Sequence, residues 1–467
     1  MRKIGMLLVA CALFGMEGLD AMEANLNVPY SPQCSPPQKP ELAFFSKQSD
    51  DMLFQSGAAV DICCQSGTRA LSLHWVLSRN RFAKPFATGW AEAGVANNFV
   101  MHLPTEKLFP GFFDVTVMLN NGGLAEIKSV CTFGWKVSQM AVRDTRPADF
   151  KVFWERGKQA LASIPLDAKT GDVLHFRDKE IDAYNVAHAA LPGNFDPDGV
   201  RCSEVEAFKV DFASVDGLRV HGWLAKPVGP GPFPVMLILP GGGFASRPIP
   251  LEHARHGFMA LDIQIHGQAV DLEKYERLPG YYDNFVYEPL DKYYYHAVYL
   301  HCVQAINYLL SRPDADPTSV VAVGGSQGGR LSIVIAALDP RVKAIVPAIT
   351  HAGNLPYTAW AEDVNKYHPD DDGMGSVLPP FAATPENRCL PYYDVLNFAP
   401  DVTCPVLMNA GLIDPVSPPS CVFAIFQRLG SVDKTLLPLP GLGHDWSAEF
   451  DRRAWRWLDQ HLNLPSR

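Results

Sequence analysis

Nowhere does the sequence run apolar for about 18 uninterrupted residues, which leaves it without an obvious membrane-spanning helix. A surplus of positive charge is missing too. Forty Lys and Arg stand against 50 Asp and Glu, for a net charge of −10 and a pI near 5.8. That balance argues against nucleic acid or an anionic membrane surface as the main partner. No Cys-x-x-Cys and no Cys/His cluster with zinc spacing occurs, so no metal or other cofactor is expected. No stretch of 20 to 50 residues recurs, which speaks against a propeller or solenoid. Charged residues make up only 19% and hydrophobic ones 47%, the composition of a folded globular protein. At 467 residues the chain suggests two or three domains. Aromatic residues, at 11%, suit a sugar-facing surface and a large core equally well.

Met1-Arg2-Lys3 precedes a short apolar stretch over residues 4–16, and Leu19-Asp20-Ala21 offers small residues for cleavage. Residues 1–21 are therefore expected to be a secretory signal peptide, placing the protein outside the cell or in the periplasm. Leu8-Val9-Ala10-Cys11 also has the form of a bacterial lipoprotein box, and soluble export is favoured over an anchor at Cys11. Of the ten cysteines, nine remain after such a cleavage, an odd number that leaves at least one without an intramolecular partner. The adjacent Cys63 and Cys64 are poorly placed to pair with each other. Most of the cysteines are expected as small buried hydrophobes.

Residues 22–40 form a Pro-rich lead-in. Over 41–142, short alternating or apolar runs such as Leu71-Ser72-Leu73-His74-Trp75-Val76-Leu77 are separated by turn residues such as Asn120-Asn121-Gly122-Gly123. This predicts an immunoglobulin-like β-sandwich. Trp75, Trp90 and Trp135 could face carbohydrate, although core or interface packing is favoured. Residues 143–204 read as a helical connector. There Phe150, Phe153, Trp154 and Leu161 share one helical face, and Asp149 is placed as a cap. Residues 205–467 open with two alternating runs around Asp216-Gly217, a hairpin signal. They then alternate strand and helix, which predicts a mainly parallel sheet covered on both faces.

The chemistry centres on Gly324-Gly325-Ser326-Gln327-Gly328-Gly329. A β-branched run precedes it and an apolar helical stretch follows, so its G-x-S-x-G reads as a nucleophile elbow on an α/β-hydrolase sheet. A Gly-rich structural turn is the plainer alternative. A phosphate-binding P-loop is excluded, because Arg330 and Leu331 stand where Lys and Ser/Thr would be needed. A serine nucleophile requires a base, and the base requires an orienting acid. Asp414 follows the strand predicted over 405–410, and His444 follows the one over 434–439, in the chain order such hydrolases use. Asp414 could alternatively serve as a cap or Asx turn before Pro415, and His444 as a solvated loop histidine. For the oxyanion, the backbone N–H of Gln327 is one expected donor. The N–H of Gly242 (or Gly243) in Pro240-Gly241-Gly242-Gly243-Phe244 is the other.

Further markers accompany these residues: Asp149-Phe150 to Phe153-Trp154, Tyr293-Tyr294-Tyr295, Arg312-Pro313, and Gly411-Leu412-Ile413-Asp414 leading to Pro418-Pro419. Together they resemble the acetyl xylan esterase / cephalosporin-C deacetylase family of α/β-hydrolases from about residue 147 onward. The resemblance implies deacetylation of short acyl esters on sugars without a metal. It also implies an oligomer that narrows access to the site. The sequence departs from the family's Arg-Gly-Gln at His266-Gly267-Gln268, and from its His-Glu at His444-Asp445. His266, Gln268 and Asp445 are accordingly expected as site support. Replacing Arg by His removes a permanent charge and a planar fork of donors, so the hydrolase chemistry stands on firmer ground than a xylan substrate. A prolyl-oligopeptidase-like exopeptidase and a non-catalytic carbohydrate-binding protein on a hydrolase fold are the alternatives. An acetylated saccharide or small acetyl ester is the expected partner.

Overall fold

A computed structural model of the protein describes residues 42–57, 59–120, 127–188, 197–243, 246–272, 289–351, 353, 355–374 and 388–462. The expected signal peptide, Cys11, the lead-in and the turn at Asn121-Gly122-Gly123 lie outside them. Among the described residues no helix is long and apolar enough to cross a membrane.

Alternation in the first part of the chain is expressed as two sheets. Strands β1 (Leu42–Phe45), β3 (Ala59–Ser66) and β6 (Asn98–Pro104) form one. The other runs β2 (Leu53–Phe54), β8 (Ile127–Trp135), β7 (Gly111–Asn120), β4 (Ser72–Arg79), β5 (Pro85–Glu92). Period two decides which side chains turn inward. On β7, Phe113, Val115, Val117 and Leu119 are buried, while Asp114, Thr116 and Met118 are only partly so. The inward faces of both sheets belong to one apolar cluster. Trp75 and Trp135 lie in that core, whereas Trp90 is 64% exposed and stacks near the His74 ring, with centroids 4.6 Å apart.

Helix α1 (Phe150–Ala162) follows, burying Phe150, Phe153, Trp154 and Leu161. Asp149 does not cap it with its side chain. Its carboxylate instead accepts the hydroxyl of Tyr392 at 2.6 Å, a tertiary partner winning over the local one. Next come β9 (Lys169–Thr170), β10 (Leu174–Arg177) and α2 (Asp178–Ala187), then the hairpin β11 (Glu204–Ala213) and β12 (Arg219–Pro227). Asp216 and Gly217, both at positive φ, close that hairpin.

The remaining strands are β13 (Phe233–Ile238), β14 (Met259–Gln264), β15 (Ala315–Gly325), β16 (Ala344–Ala348), β17 (Val406–Gly411) and β18 (Lys434–Leu439). The sheet order is β10-β11-β12-β14-β13-β15-β16-β17-β18, with β9 paired to β11. From β14 to β18 every pairing is parallel, while the hairpin joins antiparallel, so the sheet is mixed. Strands β14, β16 and β17 are buried throughout and β13 nearly so, because helices cover both faces. Helices α3 (Leu251–Arg255) and α7 (Leu390–Tyr393) are short, whereas α4 (Tyr294–Leu310) and α5 (Gln327–Leu338) are buried along most of their length. The last helix, α9 (Ala448–His461), is amphipathic. It buries Phe450, Ala454, Trp455 and Leu458, and the Ser447 hydroxyl accepts the Phe450 amide at its start.

Candidate active site

Between β15 and α5 the chain turns sharply at Ser326, whose φ of 56° and ψ of −115° lie outside the comfortable regions for a side-chain-bearing residue. The turn is held by its neighbours. The Ser326 amide donates to the Ala348 carbonyl at 2.9 Å, and the His351 amide donates to the Ser326 carbonyl at 3.2 Å. Gly328 is needed for its bare α-carbon, since a β-carbon there would collide with the Leu239 carbonyl oxygen.

The Ser326 Oγ lies 2.9 Å from Nε2 of His444, and Nδ1 of His444 lies 2.8 Å from Oδ2 of Asp414. Asp414 is only 3% exposed. Its other oxygen, Oδ1, accepts the amides of Val416 at 2.8 Å and Ser417 at 2.7 Å. The two readings of Asp414 thus coexist, because one oxygen closes an Asx-type turn while the other faces the imidazole. With Nδ1–H donating to the carboxylate, Nε2 is left as the acceptor for the serine proton. Such a chain can activate a hydroxyl for attack on an acyl carbon.

Gln327, the residue after Ser326, is 2% exposed. As the first residue of α5, its backbone N–H has no acceptor within its own helix. Its side chain reaches back to the loop after β13, where Nε2 donates to the carbonyls of Gly241 at 3.1 Å and Pro240 at 3.4 Å. In that loop Gly242 is exposed and Gly243 takes a φ of 125°. His266 supports the same loop, with Nε2 3.2 Å from the Gly243 carbonyl and Nδ1 3.1 Å from the Tyr294 hydroxyl. Burial pushes His266 down to about 4, so the neutral ring can donate from Nε2. Gln268 takes part through its backbone carbonyl, which accepts Nε2 of Gln264 at 2.8 Å. Asp445 stands apart from this group. It is exposed, and its carboxylate accepts the following amide, that of Trp446, at 2.7 Å.

Sequence reasoning missed three neighbours. His351 sits just beyond the carboxyl end of β16, and that position was the available signal. Burial foremost, then the charges of Arg330 and His444, push it down to about 3. Arg330, read from sequence only as the wrong residue for a P-loop, is fully buried beneath the elbow. Its guanidinium lies 3.8 Å from the centre of the Tyr295 ring and donates to the Tyr299 hydroxyl and to the Tyr393 carbonyl. Trp446, two residues after His444, is 43% exposed and lies across Gly325, where a β-carbon would come within 2.7 Å of its ring.

Residues 166–461, which carry every one of these groups, match the acetyl xylan esterase (AXE1) family model. The chain belongs to the acetyl xylan esterase family. It is 28% identical over 370 residues to acetyl esterase Axe7A of Xylanibacter ruminicola, covering 76% of this chain and 75% of that protein. Among solved structures it resembles an acetyl xylan esterase from Paenibacillus sp. R4, with 26% identity and a TM-score of 0.52 over 70% of this chain and 99% of that one. It also resembles acetyl xylan esterase 1 from Thermoanaerobacterium sp. JW/SL YS485, with 24% identity and a TM-score of 0.53, covering 70% and 97%. The family fold is α/β-hydrolase-like, and the mixed sheet fits it. Membership makes the chain an esterase of the carboxylic ester class. Among the described residues no group of three or more His, Cys, Asp or Glu is arranged to hold a metal ion.

Proposed function

We propose that this protein is a serine carboxylesterase that removes acetyl groups from carbohydrates, with Ser326 as nucleophile, His444 as base and Asp414 as orienting acid. The observation that carries the reading is the unbroken run of hydrogen bonds from Ser326 through His444 to Asp414, set on a strained elbow at the end of a central strand. As the Ser326 oxygen bonds to the acetyl carbonyl carbon, His444 Nε2 takes the serine proton and the carbonyl electrons move onto oxygen. Backbone N–H groups of Gln327 and Gly242 receive that oxyanion, each worth about 3 kcal/mol in such sites. Collapse breaks the bond to the sugar oxygen, which leaves with the proton held by His444. Water then attacks the acetyl-enzyme, His444 takes its proton, and acetate departs as Ser326 is restored.

The family match and the kinship to acetyl esterase Axe7A support acetyl as the acyl group. Trp446 supports a sugar as the alcohol, because an exposed indole fixed beside Ser326 offers an apolar face to a pyranose ring. The two N-terminal sheets fit an immunoglobulin-like sandwich joined to the hydrolase. Hydrolysis of p-nitrophenyl acetate by the wild type and by Ser326→Ala tests the assignment. Loss of about 10,000-fold or more in kcat is expected. An alanine variant that keeps its activity would sink it.

A further inference from the structure

We infer that the turn over residues 79–84, between β4 and β5 of the N-terminal sheets, is a positioning element of the active site that holds the loop carrying Asp414. The inference rests on the serine-esterase reading above.

That loop runs from the end of β17 to helix α8 (Pro419–Arg428). The bonds from Asp414 Oδ1 to Val416 and Ser417 set its internal shape, but they do not fix where the carboxylate stands relative to His444. External anchors do that. The hydrolase part supplies three, from the Leu412 amide to the Leu439 carbonyl at 3.1 Å, from the Ile413 amide to the Leu442 carbonyl at 3.2 Å and from the Ser417 hydroxyl to the Ile349 carbonyl at 3.0 Å. The N-terminal turn supplies two more, one on each side of Ser417. Arg81 Nη1 donates to the carbonyl of Pro415, the residue directly after the acid, at 2.8 Å. At the start of α8, the Ser420 hydroxyl donates to Oδ1 of Asn80 at 3.0 Å.

The turn is itself built to stay in place. Asn80 Nδ2 donates to both oxygens of Asp114 on β7, at 3.0 and 3.1 Å, and the Thr132 hydroxyl on β8 fixes that carboxylate from behind at 2.7 Å. Arg81 takes a φ of 77°, a left-handed conformation that a side-chain-bearing residue keeps only when its surroundings hold it. Part of those surroundings belongs to the hydrolase. Helix α6 (Leu355–Tyr367) contributes Asn365, whose Nδ2 donates to the Arg81 carbonyl and whose Oδ1 accepts the Ala83 amide, both at 2.8 Å. Its Tyr357 hydroxyl donates to the Asn80 carbonyl at 2.9 Å. Phe82 packs into an apolar cluster with Tyr357, Ala361, Val364 and Cys421. A flexible linker between independent domains would need none of this. The family match begins only at residue 166, and 70% of this chain suffices to cover 99% of the Paenibacillus enzyme. The turn therefore reaches the site from outside the residues that the family model matches.

A hydrogen-bonded triad loses rate steeply when one member drifts by about an ångström, while binding of a small ester changes little. In the full chain, Arg81→Ala is expected to lower kcat for p-nitrophenyl acetate about tenfold with KM within about twofold. Labelling of Ser326 by a fluorophosphonate should slow in step. Arg81→Lys, which keeps one donor, should recover most of the rate. Asn365→Ala, which releases the turn without touching either anchor, should act in the same direction. Folded Arg81→Ala protein with wild-type kcat overturns the inference. Should that variant fail to fold, Ser420→Ala removes a single hydroxyl from the second anchor, and an unchanged kcat there overturns it equally. Activity that survives in Ser326→Ala would instead strike at the serine-esterase reading itself.

Discussion

The hydroxyl of Tyr295, on α4, donates to Oε1 of Gln327 at 2.7 Å, and Gln327 passes the link on through Nε2 to the carbonyl of Gly241. The residue after the proposed nucleophile therefore ties three segments together: the helix beneath, the elbow, and the glycine-rich loop after β13.

Gln327→Ala cuts that tie while leaving the backbone N–H in place. It is expected to lower kcat for p-nitrophenyl acetate about tenfold, since the loop carrying Gly242 loses one of its side-chain anchors and keeps that of His266. Tyr295→Phe removes only the outer link and should cost less. Equal kcat in Gln327→Ala and wild type would reduce the side chain to filler.

Trp446 gives a prediction about substrate size. Stacking on an indole face contributes to binding only when a sugar ring is present. Trp446→Ala should raise KM for acetylated xylo-oligosaccharides about tenfold more than KM for p-nitrophenyl acetate. Parallel changes for both substrates would remove Trp446 from sugar recognition. Cephalosporin C, a bulky acetyl ester that is not a saccharide, makes a useful third substrate.

His301 predicts a pH effect on stability. It is buried within α4, and among the described residues neither ring nitrogen has a hydrogen-bond partner. Burial pushes it down from the ordinary 6.5 to about 4. Between those values the unfolded chain binds the proton and the folded protein does not. Stability is thus full above about pH 6.5 and is lost as pH falls toward 4. His266 acts in the same direction over the same window. His301→Leu removes an unsatisfied buried group, so it should stabilise by about 1–2 kcal/mol and flatten the fall in Tm across this range. Thermal melts at pH 7 and pH 5 decide the matter, and a variant that melts lower at both would refute it.

The elbow could be read from sequence because its chemistry is local: a β-branched strand, glycines at fixed offsets and an apolar helix lie within about twenty residues. Asp414 and His444 were legible for a different reason. In a parallel sheet, strand ends collect at one edge, so residues just past β17 and β18 arrive near Ser326 whatever the details. Local reasoning failed where a tertiary partner competed with a neighbour in the chain. Asp149 was placed as a cap and bonds Tyr392 instead.

By itself the sequence determined the class of sheet, the tight turn at Ser326 and the chain order of Ser326, Asp414 and His444 past their strand ends, because periodicity, glycine placement and strand ends are written in consecutive residues. Only the tertiary structure decided what surrounds them. His351 reaches the elbow through the parallel pairing of β15 with β16. Arg81 and Pro415 stand 334 residues apart in the chain. Their hydrogen bond arises from the packing of two sheets and a helix, and no pattern in either segment announces it.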